Sequence, residues 1–560
     1  MSEELKVTEK KTTARLLVEC LENENVKYVF GIPGEENINL VDELNKSEKI
    51  HFVLTRHEQG ASFMASTYGR LMGMPGVCIA TLGPGAINLM LGVADAETNS
   101  TPLVAISAQG GLTRLHKESH QVIDLVSMFK PITQYADMVL TPRAVPEMVR
   151  KAFSTAKRDR PGASYLALPQ DIEAESAPEE SHPLAIDPLS VTQPTASDIE
   201  KAVELIAAAK HPIILAGDGV LWKHAEQEVR ELSELLNIPV VTTFMSKGVI
   251  SDRHKNSLGV VGFMRKDYEN FAIDDADLII SIGFSIQQFD PQKINPKRDK
   301  KIIHINMFRQ DVDNHYPVTV NIIANIRASL QTLIQALRLQ EIHFSHQISE
   351  IKQLIHDELV NGANSQQLPL KPQTVVYQTR KQLPDDAVVL VDTGAVKMWM
   401  ARLYQTYLSN TCLIDNGLST MSWTLPGAIG AKLARPDKVV VAVMGDGSFL
   451  MNSQEIETAV RENLHLIIVI WEDHSYGLIK WKMDMEIQHH NGVDFDNPDF
   501  VKYAESFGAI GRQVTQLGEY AKFLQEAVAA KTGVYVIAVP VDYRENMKLI
   551  AKLGNTTMRI

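Results

Sequence analysis

Two aspartates follow apolar segments in the C-terminal third of the chain and could hold a metal ion. Asp446 lies in the turn Gly-Asp-Gly-Ser at 445–448, and Asp473 follows the next apolar segment, 466–471. Ligands of open α/β sheets bind at the carboxyl ends of the strands, so both carboxylates would lie at the binding edge. With backbone carbonyls and diphosphate oxygens they would form an all-oxygen, octahedral Mg²⁺ site.

The same turn has other features of a ligand-binding loop. Gly445 and Gly447 would let the backbone approach a ligand closely. We expect a helix to begin near Ser453 and to direct its partly positive N-terminus at the same edge. The alternative is an ordinary strand–turn–helix in which Asp446 only caps the helix.

A carboxylate in the N-terminal third could carry out proton transfer. The sequence Arg56-His57-Glu58 directly follows the apolar segment His51–Leu54. A carboxyl that is desolvated just past a buried strand can be protonated and neutral. Arg-His-Glu alone is also typical of a surface loop, so its combination with the turn at 445–448 favours a functional role.

The elements that must position these residues are predicted by short apolar segments that mostly end at Gly or Asp. They lack strict alternation, which is typical of strands buried on both faces. Examples lie at 77–81, 212–216, 278–282, 388–391, 439–444 and 466–471. Longer amphipathic segments separate them, for example 13–23, 225–236, 425–433 and 454–463. This alternation predicts an α/β fold with parallel sheets.

Two polar, proline-containing segments divide the chain into three predicted domains. The first, 173–198, is rich in Pro, Ser and acidic residues, and the second, 340–372, is polar and helical. The predicted domains are 1–185, 190–340 and 365–560.

The first and third domains share a sequence pattern. Each has an opening helix before a strand that ends in Gly, a strand that enters a G-x-G turn, a further apolar strand, and a strand that ends in Pro-x-Asp. Four matching features in one order suggest two copies of one fold that flank a different central domain. Two such folds can face each other, within or between chains, and bind a ligand in the cleft.

Composition excludes several classes of protein. The chain has 560 residues, of which 45% are hydrophobic and 22% charged, so it is not disordered. Its net charge of −13 argues against nucleic-acid binding. Three cysteines cannot form a disulfide framework, and no apolar segment has the length of a membrane span. The first residues, MSEELKVTEKK, are charged and lack the apolar segment of a signal peptide. We expect a cytoplasmic protein.

The turn at 445–448, followed by the polar pair Glu472-Asp473, resembles the metal and diphosphate motif of thiamine-diphosphate-dependent enzymes. The family usually has Asn-Asn at the second element, and Asp at its second position is similar to acetolactate synthases of the catabolic type. The resemblance covers nearly the whole chain, as pyrimidine-binding, central and diphosphate-binding domains. It implies thiamine diphosphate and Mg²⁺ as cofactors, with Asp446, Asp473 and the carbonyl of Ser475 as metal ligands.

The resemblance also implies the residues around the cofactor. Glu58 matches the glutamate that hydrogen-bonds the aminopyrimidine and starts the proton relay that activates the cofactor. Met421 matches the apolar residue beneath the cofactor, and the carbonyl of Ser422, where a Gly is usual, would accept from the aminopyrimidine. The full set of implied cofactor contacts is Gly83, Pro84, Gly394, Ala395, Met421, Ser422, Gly445, Gly447, Ser448, Tyr476, Gly477 and Leu478.

Three further residues are candidate substrate contacts. Ile479 matches an apolar residue that faces the substrate, on a helix predicted over 476–482. Lys482 on the same helix could attract a keto-acid carboxylate. Gln121 matches a glutamine of acetolactate synthases and either contacts substrate or belongs to the solvated surface.

The implied function is acetolactate synthesis. Pyruvate is decarboxylated on thiamine diphosphate, and the hydroxyethyl carbanion is ligated to a second pyruvate to give 2-acetolactate and CO₂. One alternative is a 2-keto acid decarboxylase that releases an aldehyde, and another is a non-catalytic, cofactor-binding homologue.

The resemblance also bears on FAD and on assembly. The central domain contains a loose G-x-G turn, Leu215–Val220, but similarity to the catabolic type favours a domain without FAD. The family places the cofactor between two chains, which implies a homodimer or homotetramer.

Overall fold

A computed structural model describes residues 11–186, 190–262 and 267–555. The described strands form three six-stranded sheets in which the neighbouring strands are parallel. The prediction of an α/β chain with parallel sheets is therefore confirmed. In chain order the strands are β1 Tyr28–Gly31, β2 His51–Leu54, β3 Gly76–Ala80, β4 Leu103–Gln109, β5 Tyr135–Met138, β6 Ala163–Pro169, β7 Pro212–Ala216, β8 Val240–Thr242, β9 Ser257–Val260, β10 Leu278–Ile282, β11 Lys301–Asn306, β12 Val318–Ile323, β13 Val388–Val391, β14 Cys412–Ile414, β15 Val440–Gly445, β16 Leu466–Glu472, β17 Ile510–Gln513 and β18 Val534–Pro540.

Helices connect the strands, as a parallel sheet requires. They are α1 Thr13–Asn23, α2 Ile38–Lys46, α3 Glu58–Met72, α4 Pro84–Thr98, α5 Leu125–Phe129, α6 Val145–Ala156, α7 Gln170–Ala174, α8 Ala196–Ala207, α9 Gly219–Trp222, α10 Glu226–Leu236, α11 Tyr268–Asp275, α12 Ile326–Leu337, α13 Ser349–Ala363, α14 Pro372–Gln382, α15 Ala395–Leu403, α16 Thr424–Ala434, α17 Asp446–Asn452, α18 Glu455–Arg461, α19 Gly477–Glu486, α20 Phe500–Ser506, α21 Glu519–Ala530 and α22 Glu545–Asn555. Within the described ranges, no helix is both long enough and apolar enough to cross a bilayer.

The first and third sheets have the same strand order. The first runs β2-β1-β3-β4-β6-β5 and the third runs β14-β13-β15-β16-β18-β17, which is the same order when each set is counted from its first strand. This identity confirms that the outer parts of the chain are two copies of one fold. In both, the strands that precede the glycine turns, β3 and β15, lie inside the sheet.

The central sheet has a different order, β12-β11-β10-β7-β8-β9. Strand order reverses between β7 and β10, which is the doubly wound arrangement with a crevice at that point. The prediction of a distinct central α/β domain is confirmed.

Local sequence explains where many elements begin and end. The predicted segments at 212–216, 278–282 and 388–391 are β7, β10 and β13, and their side chains are buried on both faces. α1 begins after Thr12, whose hydroxyl accepts a hydrogen bond of 3.1 Å from the amide of Arg15. A helix, α18, begins at Glu455, close to the start predicted near Ser453, but the sequence analysis missed α17, which precedes it and begins at Asp446 itself.

The chain divides into two compact units. Among the described residues, one comprises 11–186 with 429–434, and the other comprises 190–262 and 267–428 with 435–555. The second unit contains the central and third sheets. The three domain boundaries expected from the sequence remain predictions, and the first expected linker includes residues 187–189, outside the described ranges.

Within the second unit, a buried ion-pair network joins segments of the central and C-terminal parts. The guanidinium of Arg402 donates to both carboxylate oxygens of Asp267, at 2.7 and 3.1 Å, and to Glu358 at 2.9 Å. These side chains are only 3–6% exposed. Buried charges require such pairing, because an unpaired ion in the interior is strongly unfavourable.

Candidate active site

A cavity of about 110 Å³ lies at the carboxyl end of the third sheet. It is bordered by the segments that follow β13, β15 and β16, because the carboxyl ends of parallel strands meet at one edge. It brings together most of the site residues predicted from the third domain, namely Gly394, Ala395, Met421, Gly445, Asp446, Gly447, Ser448, Asp473, Ser475, Tyr476, Gly477, Leu478 and Ile479.

Asp446 is buried and organises the loop that carries the second aspartate. Its Oδ2 accepts hydrogen bonds from the backbone amides of Asp473 at 3.1 Å and His474 at 2.8 Å, and from Nδ2 of Asn497 at 2.8 Å. Its Oδ1 accepts from the amide of Gly447 at 2.8 Å. Asp446 therefore does more than cap a helix, since it connects the ends of β15 and β16.

Asp473 lies in the same cavity and has fewer partners. Its Oδ2 accepts one hydrogen bond, 2.8 Å, from the hydroxyl of Ser475. Burial, and next the nearby charge of Asp446, raise the pKa of Asp473 to about 7. Two carboxylates held close together in a cavity repel each other, and a hard divalent cation is the group that offsets such repulsion. The donor set therefore fits Mg²⁺.

The cavity also has features that fit a diphosphate. A side chain at Gly477 would lie 2.5 Å from Oδ2 of Asp473, so only glycine leaves the carboxylate accessible there. The hydroxyl of Thr393 lines the cavity, and its oxygen is buried without a hydrogen-bond partner among the described residues. A buried hydroxyl of this kind is normally satisfied, which here would require a ligand.

Asp392 shapes the wall of the cavity without lining it. Its carboxylate accepts from the amide of Ser422, at 2.9 and 3.1 Å, and from the amide of Thr393 at 2.7 Å. Burial raises the pKa of Asp392 to about 6, although the hydrogen bonds from Ser422 and Ser448 oppose this shift. Asp392 thus fixes the loop that presents Met421 to the cavity.

Ser422 is buried behind Met421 and does not line the cavity. Its φ of 69° is in the left-handed region, which explains why glycine would be favourable at this position. Its carbonyl accepts a hydrogen bond of 3.0 Å from Nδ2 of Asn452, and a carbonyl oxygen can accept a second one. Its contact with a cofactor therefore stays a prediction.

The helix predicted over 476–482 is α19, which begins at Gly477. It presents Leu478 and Ile479 to the cavity, whereas Lys482 is exposed and does not line it. Leu478 and Ile479 therefore give the cavity an apolar wall, and the substrate contacts of Ile479 and Lys482 remain predictions.

In the first unit, Glu58 is the first residue of α3 and is buried. Its Oε2 accepts a hydrogen bond of 3.0 Å from Nδ2 of Asn88 on α4. A side chain at Gly85 would lie 3.2 Å from Oε1 of Glu58, so the glycine turn leaves space beside the carboxyl. The carboxyl of Glu58 is therefore buried and held in one orientation at the start of α3.

The turn before α4 lies next to the predicted substrate residue of the first unit. Gly83 has a φ of 54°, and a side chain there would lie 2.8 Å from the carbonyl oxygen of Gln121. Pro84 is the first residue of α4. Gln121 is exposed, so both of its predicted roles remain open.

Sequence reasoning missed three residues of these sites. Asn497 donates a hydrogen bond to Asp446, and Asn88 donates one to Glu58. Tyr543 lines the cavity. Burial, and next the nearby charges of Asp473 and Asp446, raise the pKa of the Tyr543 hydroxyl well above its usual value. Tyr543 follows the end of β18, and that position is the one signal that could have indicated it. Asn497 lies in the loop between α19 and α20, where no local pattern marks it.

In the glycine turn of the central sheet, Leu215–Val220, two backbone amides donate hydrogen bonds within the protein. The amide of Gly217 donates to the carbonyl of Ile282 at 2.8 Å, and that of Gly219 donates to Gly283 at 2.9 Å. In dinucleotide-binding folds, amides of this turn face the ligand.

Comparison with known proteins agrees with this geometry. Three family models match the chain: the N-terminal thiamine pyrophosphate (thiamine diphosphate) binding domain of thiamine pyrophosphate enzymes at residues 11–128, their central domain at 199–333 and their C-terminal thiamine pyrophosphate binding domain at 392–539. The chain belongs to the thiamine pyrophosphate enzymes.

Individual relatives are similar over nearly the full length. An acetolactate synthase of Bacillus subtilis is 33% identical over 98% of this chain and 96% of its own. A catabolic acetolactate synthase of Raoultella terrigena is 33% identical over 96% of this chain and 97% of its own. An acetolactate synthase large subunit of Corynebacterium glutamicum is 33% identical over 93% of this chain and 85% of its own.

Proposed function

We propose that this chain is an acetolactate synthase. It decarboxylates one pyruvate and joins the remaining two-carbon unit to a second pyruvate, which gives 2-acetolactate and CO₂. The observation that carries this proposal is the match to proteins named acetolactate synthase over almost the whole of both chains. Bound thiamine diphosphate supplies the carbanion-stabilising centre that such a reaction requires.

Glu58 provides the proton transfer. Its carboxyl is buried and oriented by Asn88, so it would hold a proton against a ring nitrogen of the cofactor. Asn88 is a positioning residue, because it acts through Glu58.

Asp446, Asp473 and the carbonyl of Ser475 would hold Mg²⁺, which in turn would bind the diphosphate. All three residues line one cavity. The carbonyl of Ser475 already accepts a hydrogen bond of 2.9 Å from the amide of Gly477, which leaves one lone pair for a metal ion.

Leu478 and Ile479 would form the apolar wall against which the keto acid is bound. Apolar side chains there would exclude water from the reacting atoms, which favours carbon–carbon bond formation over side reactions. Lys482 and Gln121 would recognise the carboxylate and carbonyl groups of the acceptor.

The central domain would work without FAD. The support for this is that the amides of Gly217 and Gly219 donate hydrogen bonds to the carbonyls of Ile282, at the end of β10, and of Gly283. A purified sample should therefore show no flavin absorbance, and stoichiometric flavin would contradict this part of the proposal.

The active assembly would be a homodimer or homotetramer in which Glu58 of one chain acts with the metal site of another. This can be tested with two inactive variants, Glu58→Gln and Asp446→Ala, expressed together. If the site is shared between chains, random pairing restores about a quarter of wild-type activity, because half of the dimers have one intact site. If each chain forms its own site, the mixture stays inactive.

Product analysis tests the function itself. The protein is incubated with pyruvate, thiamine diphosphate and Mg²⁺, without FAD, and acetolactate is measured as acetoin after acid treatment. Glu58→Gln is the matched control, expected to lose turnover while it retains most cofactor affinity. Acetaldehyde without acetolactate would make the chain a decarboxylase instead.

A further inference from the structure

Tyr543 is partly buried, and its hydroxyl differs from those of the fully buried tyrosines of the chain. Tyr543 lies just after β18 and lines the cavity that contains Asp446 and Asp473. Its ring packs against that of Trp471, with the ring centroids 6.2 Å apart. Its Oη is buried and has no hydrogen-bond partner among the described residues.

Other buried tyrosines in the chain satisfy their hydroxyls within the protein. Tyr165 pairs with Ser107, Tyr316 with Ser281 and Tyr520 with Thr379, each at 2.6 Å. A buried hydroxyl without a partner costs free energy, so its presence in a ligand cavity indicates that a ligand satisfies it.

The position of Tyr543 identifies the class of ligand atom. β18 is paired with β16 up to Pro540, which lies opposite Glu472. Tyr543 and Asp473 therefore follow the ends of two neighbouring strands. A neutral donor there can bind an anionic oxygen beside a metal ion without adding charge. We propose that the hydroxyl of Tyr543 donates a hydrogen bond to a diphosphate oxygen of the cofactor, an inference that rests on the proposed cofactor but not on the proposed product.

The test is Tyr543→Phe, which removes only the oxygen. Dissociation constants are measured on the apoenzyme, by tryptophan fluorescence or calorimetry, for thiamine diphosphate with Mg²⁺, for pyrophosphate with Mg²⁺, and for thiamine. Loss of one hydrogen bond to a charged acceptor predicts a rise of about 10-fold in the first two constants and none in the third.

The matched control is Tyr503→Phe. Tyr503 lies outside the cavity lining, and its hydroxyl is 2.7 Å from Oγ of Ser453. This control should lower the thermal midpoint of the apoenzyme and leave cofactor affinity unchanged. Tyr543→Phe should do the reverse, since its hydroxyl has no partner in the described part of the protein.

Equal affinity of wild type and Tyr543→Phe for pyrophosphate would overturn the inference. An equal loss of thiamine affinity would also overturn it, because the hydroxyl would then act on the ring half of the cofactor. Failure of the wild-type protein to bind thiamine diphosphate would instead refute the proposed function. A protein that binds the cofactor but forms no acetolactate leaves the role of Tyr543 measurable.

Discussion

Replacement of Asp446 by Ala should destabilise the apoenzyme, independently of any lost metal ion. Oδ2 of Asp446 accepts from two backbone amides, those of Asp473 and His474, and from Nδ2 of Asn497. A buried donor that loses its acceptor costs at least about 1 kcal/mol, so these three donors predict a loss of about 3 kcal/mol. For a domain of about 200 residues, such as the one predicted over 365–560, this loss corresponds to a fall of about 6–12 °C in the thermal midpoint.

Asp473→Ala is the matched comparison, because it makes the same truncation in the same cavity. Within the described ranges, the carboxylate of Asp473 accepts a hydrogen bond only from the hydroxyl of Ser475, which can rotate to another acceptor. Its removal also relieves the repulsion from Asp446. We therefore expect a midpoint within about 2 °C of wild type, or above it.

The assay is thermal unfolding followed by circular dichroism, first with a chelator and then with Mg²⁺ and thiamine diphosphate. Ligands raise the midpoint only of proteins that bind them, so both alanine variants should lose this increase. Asp473→Asn should keep it, because an amide oxygen can still bind the metal ion. If Asp446→Ala unfolds in chelator at the wild-type midpoint, or if Asp473→Ala falls as far, the organising role of Asp446 is wrong.

Three further predictions concern stability in the second unit. Arg402→Met should lower the thermal midpoint by the equivalent of about 3–5 kcal/mol, because it removes the guanidinium that pairs with the buried carboxylates of both Asp267 and Glu358; a midpoint equal to wild type would contradict this. Burial lowers the pKa of His304 to about 4, so the unfolded chain binds a proton below its usual pKa of 6.5 while the folded protein does not. Stability should therefore fall from about pH 6.5 towards pH 4, and His304→Asn, compared by midpoint against pH, should show a shallower fall. Ser422→Gly should be more stable than Ser422→Ala by about 1 kcal/mol, since both remove the hydroxyl but only glycine relaxes the positive φ; equal midpoints would argue against strain at this position.

Much of the fold follows from local sequence patterns. The bounds of β7, β10 and β13 are those of the apolar segments that predict them. The repeated pattern in the outer domains predicted two copies of one fold, and the matching strand orders confirm it. These inferences succeed because burial on both faces of a parallel strand leaves a continuous apolar segment in the sequence.

The two sites were predicted less evenly. Asp446 and Asp473 could be brought together in advance, because each follows a predicted strand of one sheet. The start of α17 at Asp446 could not, since glycine at the second position disfavours a helix and tertiary packing overrides that preference.

What the sequence alone determined is therefore the set of elements and the residues at the ends of its strands. What only the tertiary structure decided is which distant side chains meet those residues: Asn88 at Glu58, Asn497 at Asp446, and Tyr543 in the cavity. The physical reason is that strand period and turn chemistry act over a few residues, whereas these contacts depend on strand order and on the paths of the connecting loops. Neither leaves a local pattern in the chain.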